Sequence, residues 1–587
     1  MQYLKLAETF ENLSQTTSRL EKTVILAKFI KTIRKEDEKL ISKIILLLQG
    51  RVFPEWDSRT VGLAAKLVLK AISRATGHSE SEVEKSFKKH GDIGNTTEEL
   101  IKSKRQQTLF STELTINEVF DTLQKLASLE GMKSQDFKMA ELSKLLTSAK
   151  PIEAKFIIRT VLEDLRVGIA GGTIRDGITY AFFTEQVKYN KQTNSIEFEG
   201  KFSKEELQEL MNKVKRAFDL TADYATVINH MNKGNSVEDF KLRVGSPCKV
   251  MLARKERTFA DAFSRTNLPV RLEYKYDGFR MQIHKKGTEI RLFTRRLEDV
   301  TKQFPDVVKS IQKYVKVDKC IIDSEAVGYD PKTGKYQPFQ HISKRIRRKY
   351  DIENLSKELP VEVNVFDVLY DGNKVIIDEE LPIRLEALNK LIPEDKALEI
   401  VKAKGILIEK EEEAQEFYEK SLNAGNEGVM IKELKGKYQP GGRVSAWIKM
   451  KPIMDELDLV ITEAEWGNGK RSAWMTSFTL AVQNEDGDIL EIGKVGTGLK
   501  EIAEDDETVT FSRLTELLKP LIIGEKGKTV RVKPEIVLMI AYEEIQKSPT
   551  YSSGFALRFP RVLTIRNDKP VEEIASIEDI YDLYDGQ

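Results

Sequence analysis

The chain has 587 residues, a length that predicts about three to four domains. Lys and Arg total 94 against 93 Asp and Glu, so any nucleic-acid footprint must come from local basic patches. The two cysteines, Cys248 and Cys320, exclude a cysteine-rich zinc site and fit a reducing compartment. The chain starts without a signal-peptide pattern, and its apolar runs fall far short of the roughly 20 residues that cross a bilayer. We therefore expect a cytoplasmic protein without membrane attachment.

The first 245 residues are predicted to be mostly helical. Apolar positions recur at helical spacing, for example through residues 20–30. Thr115 followed by Glu118 is typical of a capping box that opens a helix. The stretch from about Thr96 to Ser111 is expected to be largely a loop between helices.

From about residue 270 the apolar pattern changes to period two, which is typical of strands. A strand pair is expected across residues 270–296, around a turn at Lys285–Thr288. Further strands, with helices between them, are predicted at 320–327, 361–370, 428–432 and 446–451. After Pro452 the density of short strands, at 457–463, 478–482, 489–495 and 530–532, predicts a small barrel.

The main candidate for chemistry is the segment Glu273-Tyr274-Lys275-Tyr276-Asp277-Gly278. If it is a strand, Glu273 and Lys275 share one face, because side chains alternate along a strand. A surface ion pair is the plain interpretation of such a pair. The functional interpretation is a lysine nucleophile that attacks phosphorus. A Lys-x-Asp-Gly motif alone is weak, so its weight depends on the segments that follow.

Carboxylates and lysines recur at the ends of the later strands. Asp323 and Glu325 share one strand face, where they would hold Mg²⁺ or a ribose hydroxyl, or simply form a solvated strand end. Glu427 precedes another apolar strand. Lys449 and Lys451 project from one strand face, which indicates either a bound phosphate group or a solvated edge strand.

The order of these segments identifies a family. A glycine-rich phosphate loop of the GxxxxGK[ST] type is missing from the sequence, so a nucleotide would be held by side chains. Two charged segments, Arg558–Arg561 and Arg566–Lys569, stand near the C-terminus. In this order the segments resemble the covalent nucleotidyltransferase superfamily, and within it the ATP-dependent DNA ligases of the archaeal and eukaryotic kind. The resemblance covers nearly the whole chain.

The resemblance implies a multidomain chain. An all-α DNA-binding domain at 1–245 would precede an α+β nucleotidyltransferase (adenylation) domain with antiparallel sheets at 246–453 and a C-terminal β-barrel of the OB-fold type at 454–587. The implied activity is the sealing of nicks in duplex DNA, in replication, repair and recombination. ATP and Mg²⁺, or another divalent cation such as Mn²⁺, would be the cofactors, and a monomer is expected.

The resemblance also implies roles for single residues of the nucleotide site. Lys275 would be the nucleophile that takes up AMP, Glu273 would contact the adenine edge, and Phe366 would stack on the base. Without the resemblance, Phe366 would instead be assigned to the core of a buried strand. Arg280 would meet the ribose. The other implied nucleotide contacts are Arg295, Glu325, Lys432, Arg443, Lys449, Lys451, Arg566, Asp568 and Lys569.

Three further features of the nucleotide site follow from the resemblance. Glu325 and Glu427 would hold the metal ion. The C-terminal residues 566–569 would close over the site, which implies a hinge near residues 451–458. Ser324 departs from the family, which usually has glycine there, and leaves the backbone geometry open if a positive φ is required.

DNA contacts are implied in the helical domain. Arg159, Arg166 and Gly168 resemble its signature, and Thr173 is expected to cap the helix that follows, whose free N–H groups suit a DNA phosphate. The same pattern would equally fit an ordinary helix–turn–helix packing corner. The basic run at residues 344–349 is either a second backbone-binding face or a solvated helix surface.

A candidate partner motif lies in the loop before residue 111. Gln106, Leu109 and Phe110 resemble the short peptide by which archaeal ligases dock to the replicative sliding clamp. The usual peptide has two adjacent aromatics, whereas here the pair is Leu109–Phe110. The alternative is a loop whose apolar tip packs back onto a helix.

Three other kinds of protein were compared with this pattern. An RNA ligase or a GTP-using capping enzyme would share the nucleotide motifs, but neither is expected to carry the helical domain at 1–245. An NAD-dependent ligase would need a four-cysteine zinc module, which two cysteines exclude. A non-catalytic DNA-binding scaffold would have little reason to keep Lys275, Glu325, Glu427, Lys449 and Lys451 together.

Overall fold

The computed structural model describes residues 1–57, 59–105, 113–129, 134–256, 258–266, 268–346, 348, 350–452, 455–503 and 508–585. The chain divides into two compact units, Met1–Lys451 and Pro452–Gln587. Within the described ranges, no helix combines the length and apolarity that a membrane crossing requires.

The first part of the larger unit is built from helices around one continuous apolar core. The helices are α1 Tyr3–Ser14, α2 Arg19–Ile33, α3 Glu38–Leu48, α4 Ala65–Thr76, α5 Glu80–His90, α6 Ile93–Lys102, α7 Ile116–Ser128, α8 Ser134–Ser148, α9 Pro151–Val161, α10 Gly171–Phe183, α11 Lys204–Thr221 and α12 Tyr224–Asn232. The predicted capping box is confirmed, because Thr115 and Glu118 cap α7 reciprocally.

Two expectations about this helical part are wrong. The segment from Thr96 to Lys102 belongs to α6, which starts where the Asp92 carboxylate accepts a hydrogen bond from Asn95 N at 2.6 Å. The helical part is also not all-α, since an antiparallel hairpin follows α10, formed by strands β1 Gln186–Asn190 and β2 Ser195–Glu199. Val187 of this hairpin packs with buried residues of α2.

The second part of the larger unit contains two sheets with helices around them. The strands are β3 Leu252–Glu256, β4 Val270–Tyr274, β5 Phe279–Lys286, β6 Glu289–Thr294, β7 Lys319–Gly328, β8 Val361–Asp371, β9 Lys374–Val375, β10 Ile400–Lys402, β11 Gly405–Ile408, β12 Val429–Glu433 and β13 Arg443–Met450. The helices are α13 Phe259–Phe263, α14 Pro305–Tyr314, α15 Phe339–Ile346, α16 Ile352–Glu358, α17 Leu381–Leu391 and α18 Glu411–Asn423.

Sheet A has the order β10-β8-β7-β5-β6, with β9 beside β8, and sheet B has the order β11-β4-β12-β13-β3. The expected antiparallel sheets are mixed instead, because β10 runs parallel to β8 and β13 parallel to β3. The expected strand pair at 270–296 is therefore only partly right. The hairpin is β5–β6 in sheet A, whereas β4 lies in sheet B.

The chain passes from sheet B to sheet A through Lys275–Gly278. Gly278 lies so close to β7 that a Cβ there would come within 3.0 Å of Ala326 O. Any other residue would push β5 away from β7, so the close approach of two strands explains the glycine of the Lys-x-Asp-Gly motif. Lys275 consequently lies at the junction of the two sheets.

Strand β8 carries two bulges that position an aromatic side chain. Its pairing with β7 shifts between Ile321 and Ile322 and again between Asp323 and Ser324, which leaves Phe366 and Leu369 without a partner on β7. A bulge re-aims the side chain it carries. Phe366 is turned toward sheet B, where its ring lies 5.9 Å from that of Trp447.

The smaller unit is rich in strands. They are β14 Asp455–Trp466, β15 Met475–Gln483, β16 Ile489–Val495, β17 Ile522–Lys526, β18 Thr529–Val532, β19 Val537–Tyr542, β20 Glu544–Lys547, β21 Phe555–Arg558 and β22 Arg561–Ile565. Helices α19 Phe511–Leu518 and α20 Ile577–Asp585 accompany them. The main sheet has the order β16-β15-β14-β18-β17, with β19 joining β14 to β22, so it is open among the described residues where a closed barrel was expected.

Candidate active site

Lys275 and Glu427 meet at the junction of the two sheets. Lys275 N donates to Gly428 O at 2.9 Å, and Glu427 N donates to Lys275 O at 2.8 Å. These backbone bonds place the two side chains side by side, and Lys275 Nζ forms an ion pair with the Glu427 carboxylate. Lys451 Nζ lies 2.8 Å from the same carboxylate. The predicted nucleophile and a predicted metal ligand are thus in direct contact.

The two carboxylates predicted to bind metal have pKa values shifted in opposite directions. Burial raises the pKa of Glu325 to about 8, against the opposing effect of Lys275 and Arg280. Burial acts in the same direction on Glu427, but the ion pairs with Lys275 and Lys451 outweigh it and lower the pKa of Glu427 to about 2. Carboxylates with such divergent pKa values are typical of sites that bind charge.

Asp323, which shares a strand face with Glu325, is committed to an internal pair. Arg280 donates to both oxygens of Asp323, at 2.9 and 2.6 Å, and also to Met251 O at 2.6 Å. Tyr438 OH donates to Asp323 at 2.7 Å, and the Asp323 side chain is fully buried. Asp323 is therefore not a candidate for holding Mg²⁺ together with Glu325. Glu325 remains the candidate on this strand, and the Arg280–Asp323 pair next to it is structural.

Glu273 lies with Lys432 and Phe366 at the other side of the site. Lys432 Nζ is 2.6 Å from Glu273 and donates to Phe366 O at 3.1 Å. The same Nζ lies 4.7 Å from the centre of the Phe366 ring and 4.5 Å from that of Trp447. Lys432, expected around the phosphates, thus contacts the residues predicted to bind the base. Because this cation lies on two aromatic faces, it fixes both rings.

The structure shows why serine is tolerated at position 324, where the family usually has glycine. It lies in β7, is not among the residues with positive φ, and is fully buried. Its hydroxyl donates to Met281 O at 2.8 Å. An ordinary strand conformation needs no glycine, so serine fits here without strain.

Comparisons with known proteins agree with this geometry. Residues 250–451 match the model of the ATP dependent DNA ligase domain, residues 2–179 that of the DNA ligase N terminus and residues 471–569 that of the ATP dependent DNA ligase C terminal region. The DNA ligase of Nanoarchaeum equitans is 44% identical over 100% of this chain and 99% of its own length. The chain belongs to the ATP-dependent DNA ligases.

Other relatives extend the similarity of the ligase. The DNA ligases of Thermococcus fumicolans and Methanopyrus kandleri are 39% and 38% identical, each over 100% of this chain and at least 98% of their own length. The solved structure "Pmar-Lig_PreS3" has a TM-score of 0.56 at 15% identity and covers 96% of this chain and 99% of that one. It shares the fold.

Three other predicted nucleotide contacts of the ligase lie in or next to strands of the larger unit. Arg295 is exposed in the turn after β6, and Arg443 is exposed at the start of β13. Lys449 is half-buried in β13, opposite Met430 of β12. Their assignment to the nucleotide remains a prediction.

The predicted C-terminal residues form a cluster within the smaller unit. Arg566 donates to both oxygens of Asp568, at 2.9 and 2.8 Å, and lies 2.9 Å from Asp458. Lys569 is 2.7 Å from the same Asp458. The hydrogen bond from Arg566 lowers the pKa of Asp568 to about 2. Their closure over the nucleotide remains a prediction.

The residues predicted to bind DNA differ in exposure. Arg159 is buried, bonded to Asp92 at 3.1 Å and packed under Gly94. Arg166 is half-exposed and pairs with Asp92 and Asp164, at 3.0 and 2.6 Å. Of these two arginines, Arg166 is therefore the one open to solvent, whereas the contacts of Arg159 are internal.

The segment that precedes α10 is held by a buried lysine. Lys22 Nζ donates to Val167 O at 2.6 Å and to Gly168 O at 3.0 Å. Gly168 has a φ of +62°, and a Cβ there would meet Lys22 Nζ. Helix α10 begins at Gly171 with Ala170 at its N-cap, so the expected N-cap role of Thr173 is wrong.

Other predictions fall on residues that the structure buries or leaves undescribed. In the basic run at 344–349, Arg345 is buried and pairs with Asp306, so that residue cannot contact a DNA backbone. The proposed clamp peptide, with Gln106, Leu109 and Phe110, lies outside the described residues.

Sequence reasoning missed several residues of the site. Trp447 contacts both Phe366 and Lys432. The sequence did contain a pattern that pointed to it, because Trp447 is the first residue of the alternating series that continues with Lys449 and Lys451. Tyr438 gave no local signal, since it contacts Asp323 through a hydrogen bond between segments distant in sequence. Within the smaller unit, Asp458 gave none either, because its partners Arg566 and Lys569 lie more than 100 residues further along the chain.

The raised pKa of Glu325 predicts a stability that depends on pH. The folded state keeps a proton on Glu325 up to a pKa of about 8, whereas an unfolded chain releases it near pH 4. Raising the pH through this interval therefore destabilises the native ligase in a chelating buffer. We expect its urea midpoint to be lower at pH 9 than at pH 6, and Glu325→Gln to reduce that difference. The exposed Glu353→Gln serves as control, and an equal pH dependence in both variants would contradict the assignment.

Proposed function

We propose that this ligase seals nicks in duplex DNA, in replication, repair and recombination, by three phosphoryl transfers through Lys275. The contact of Lys275 with Glu427 and Lys451 supports this assignment most directly. Nζ attacks the α-phosphorus of ATP, so that a P–N bond forms and the bond to pyrophosphate breaks. Only an amine without its extra proton has a lone pair for this attack, so that proton passes to solvent in this step.

The second and third transfers act on the nick. The 5′-phosphate attacks the Lys275-bound AMP, the P–N bond breaks, an anhydride forms and Nζ takes up a proton. The 3′-hydroxyl then attacks the 5′-phosphorus, loses its proton and expels AMP. The cations assigned to stabilise the charge of these transition states are Lys432, Arg443, Lys449 and Lys451. Arg295 would meet the nucleotide and later the nick phosphate, and Arg566 and Lys569 would orient the leaving pyrophosphate.

The adenosine half would lie between the sheets. Glu273, which lies 2.6 Å from Lys432, would accept from the adenine edge, and Phe366 would stack on the base. Arg280, which is paired with Asp323, would meet the ribose. Asp568 would act through Arg566, to which it is bonded. These roles follow from the contacts of the side chains and from the family.

Glu325 and Glu427 fit a magnesium ion. Mg²⁺ commonly takes one or two carboxylates and completes its shell with phosphate oxygens and water. The described residues contain no group of three carboxylate, histidine or cysteine side chains suited to a metal, so water, and ATP when it is bound, would supply the remaining ligands. When bound, the ion neutralises charge on the phosphates. Mn²⁺ satisfies the same oxygen ligands.

We propose that each of the three domains has a separate role in ligation. We assign DNA binding to residues 1–245, with Arg159 supporting the segment that carries Arg166 and Gly168. Residues 246–453 would carry adenylation, and residues 454–587 would act as an OB-fold that brings Arg566, Asp568 and Lys569 to the nucleotide. A monomer working in the cytoplasm fits this scheme. Phosphate contacts predict binding that is independent of DNA sequence and weakened by salt.

Nick sealing is tested with the purified, ³²P-adenylated ligase. It is mixed with duplex DNA carrying one 5′-phosphorylated nick, with intact duplex, or with 5′-phosphorylated single-stranded RNA. We expect only the nicked duplex to discharge the label and to yield the sealed strand. Discharge by RNA alone would make the protein an RNA ligase. Protein that never takes up label would be better described as a DNA-binding scaffold.

A sliding clamp is proposed as partner of Gln106–Phe110. The similarity of this segment to clamp-binding peptides supports the proposal. Phe110→Ala and Leu109→Ala should each weaken retention of the ligase on an immobilised sliding clamp by about tenfold or more, because aromatic and aliphatic anchors dominate such contacts. Phe137→Ala, at an exposed aromatic in helix α8, is the control. Equal retention of all three variants would remove the clamp from this segment.

A further inference from the structure

Strand β8 of the ligase buries an amide side chain close to Glu325. Asn364 of β8 is 1% exposed, and its Oδ1 has no hydrogen-bond partner among the described residues. An unsatisfied buried acceptor costs about 1–3 kcal/mol, so such an atom calls for an explanation.

The orientation of this amide is determined by Glu362. The Glu362 carboxylate accepts from Asn364 Nδ2 at 3.4 Å, from Tyr336 OH and from Leu398 N at 2.5 Å. A carboxylate that accepts these bonds cannot donate to an amide oxygen. Nδ2 must therefore face Glu362, and Oδ1 is the atom left for a ligand.

The position of Asn364 relates it to the metal carboxylate. Across the β7–β8 ladder, Asn364 is paired directly with Glu325, which is in turn paired with Arg280 on β5. Side chains of directly paired residues lie on the same face, with Cβ atoms about 4.5–5.5 Å apart. The free acceptor is thus a neighbour of Glu325 on the face of sheet A that carries the site.

We propose that Asn364 is a positioning residue of the metal site, whose Oδ1 accepts a hydrogen bond from water in the hydration shell of a divalent cation held by Glu325. The inference rests on the proposed metal site. Mg²⁺ gives up its waters reluctantly, and those waters are strong donors. A cation bound to Glu325 displaces the proton of that carboxyl and leaves only acceptors on it, so a water molecule on the cation supplies the donor that Oδ1 lacks. An amide provides this acceptor without adding a third charge beside Glu325 and Glu362.

Mn²⁺ binding to the full-length ligase without nucleotide tests the proposal. Free Mn²⁺ is followed by its electron paramagnetic resonance signal. We expect Asn364→Leu to weaken Mn²⁺ binding by about tenfold or more, the usual effect of losing a group that supports a metal ligand. Asn364→Asp keeps the acceptor and should bind Mn²⁺ at least as tightly as the native protein. Asn364→Leu should melt no lower than native, because it removes an unsatisfied atom.

Two further variants make each outcome decisive. Asn229→Leu is the matched control, since Asn229 in α12 also has a buried Oδ1 without a partner in the described chain and donates to Glu38 O at 3.3 Å. Glu325→Gln should lose Mn²⁺ binding. If Glu325→Gln binds as native does, or if neither binds, the proposed metal site itself fails. If Glu325→Gln loses Mn²⁺ binding but Asn364→Leu binds Mn²⁺ like the native protein, the proposed role of Asn364 is overturned. The same conclusion follows if Asn364→Asp loses as much Mn²⁺ binding as Asn364→Leu.

Discussion

Replacing Lys275 by alanine is expected to abolish the AMP adduct and to lower nick sealing by about 10⁴-fold or more, because the variant lacks the nucleophile through which every turnover passes. Intact-protein mass after incubation with ATP and Mg²⁺ should show the mass of one AMP on the native ligase and none on the variant. Loss of the ion pair between Lys275 and Glu427 removes a partly solvated contact, so the fold should survive.

Lys286→Ala provides the matched control. Lys286 is an exposed lysine at the end of β5, and the variant should be adenylated like the native ligase. The sealing of a nick that already carries 5′-adenylate separates the steps, because this substrate bypasses the first two transfers. Lys275→Ala should seal it much faster than an ordinary nick. An adduct of normal yield on Lys275→Ala would place the nucleophile elsewhere.

The candidate site could be predicted because its residues stand in short sequence motifs whose order resembles that of a known family. Lys275 and Gly278 share one motif that is weak by itself, and Glu427 directly precedes its strand, so their roles were inferred from the family resemblance. The pairing of Lys275 with Glu427 was not predictable, since it depends on hydrogen bonds between segments about 150 residues apart. The commitment of Arg280 to Asp323 was missed for the same reason.

Charge in a sequence gives no information on burial. Arg159 was assigned to DNA from the family signature, and Arg345 belongs to a basic run expected either to bind DNA or to be solvated, yet both side chains are buried against a carboxylate. When its carboxylate partner is distant in sequence, an arginine in a buried ion pair cannot be told from a solvent-exposed arginine by the residues around it. The helical part and the strand-rich C-terminal part were predictable from periodicity, whereas sheet closure and parallel pairing depend on contacts that periodicity does not encode.

The largest stability loss is expected from breaking the pair between Arg384 and Asp367. Both side chains are fully buried, with Arg384 bonded to the carboxylate at 2.8 and 3.2 Å and to Gly436 O at 3.1 Å. Arg384→Met leaves the Asp367 charge buried without its partner, which costs about 3–5 kcal/mol. Chemical denaturation, followed by tryptophan fluorescence, should show the transition of the larger unit at a lower denaturant concentration.

This loss has a functional component, because Asp367 follows Phe366 directly in the bulged part of β8. When the pair is broken, the bulge loses its anchor to α17, so Arg384→Met should also bind ATP less tightly. Arg216→Met is the control, since Arg216 and Asp378 form an exposed pair whose loss should cost at most about 1 kcal/mol. The double variant Arg384→Met/Asp367→Leu removes the orphaned charge and should recover much of the stability. Equal losses in the single and double variants would mean that packing of the arginine stem, and not the buried charge, holds β8 against α17.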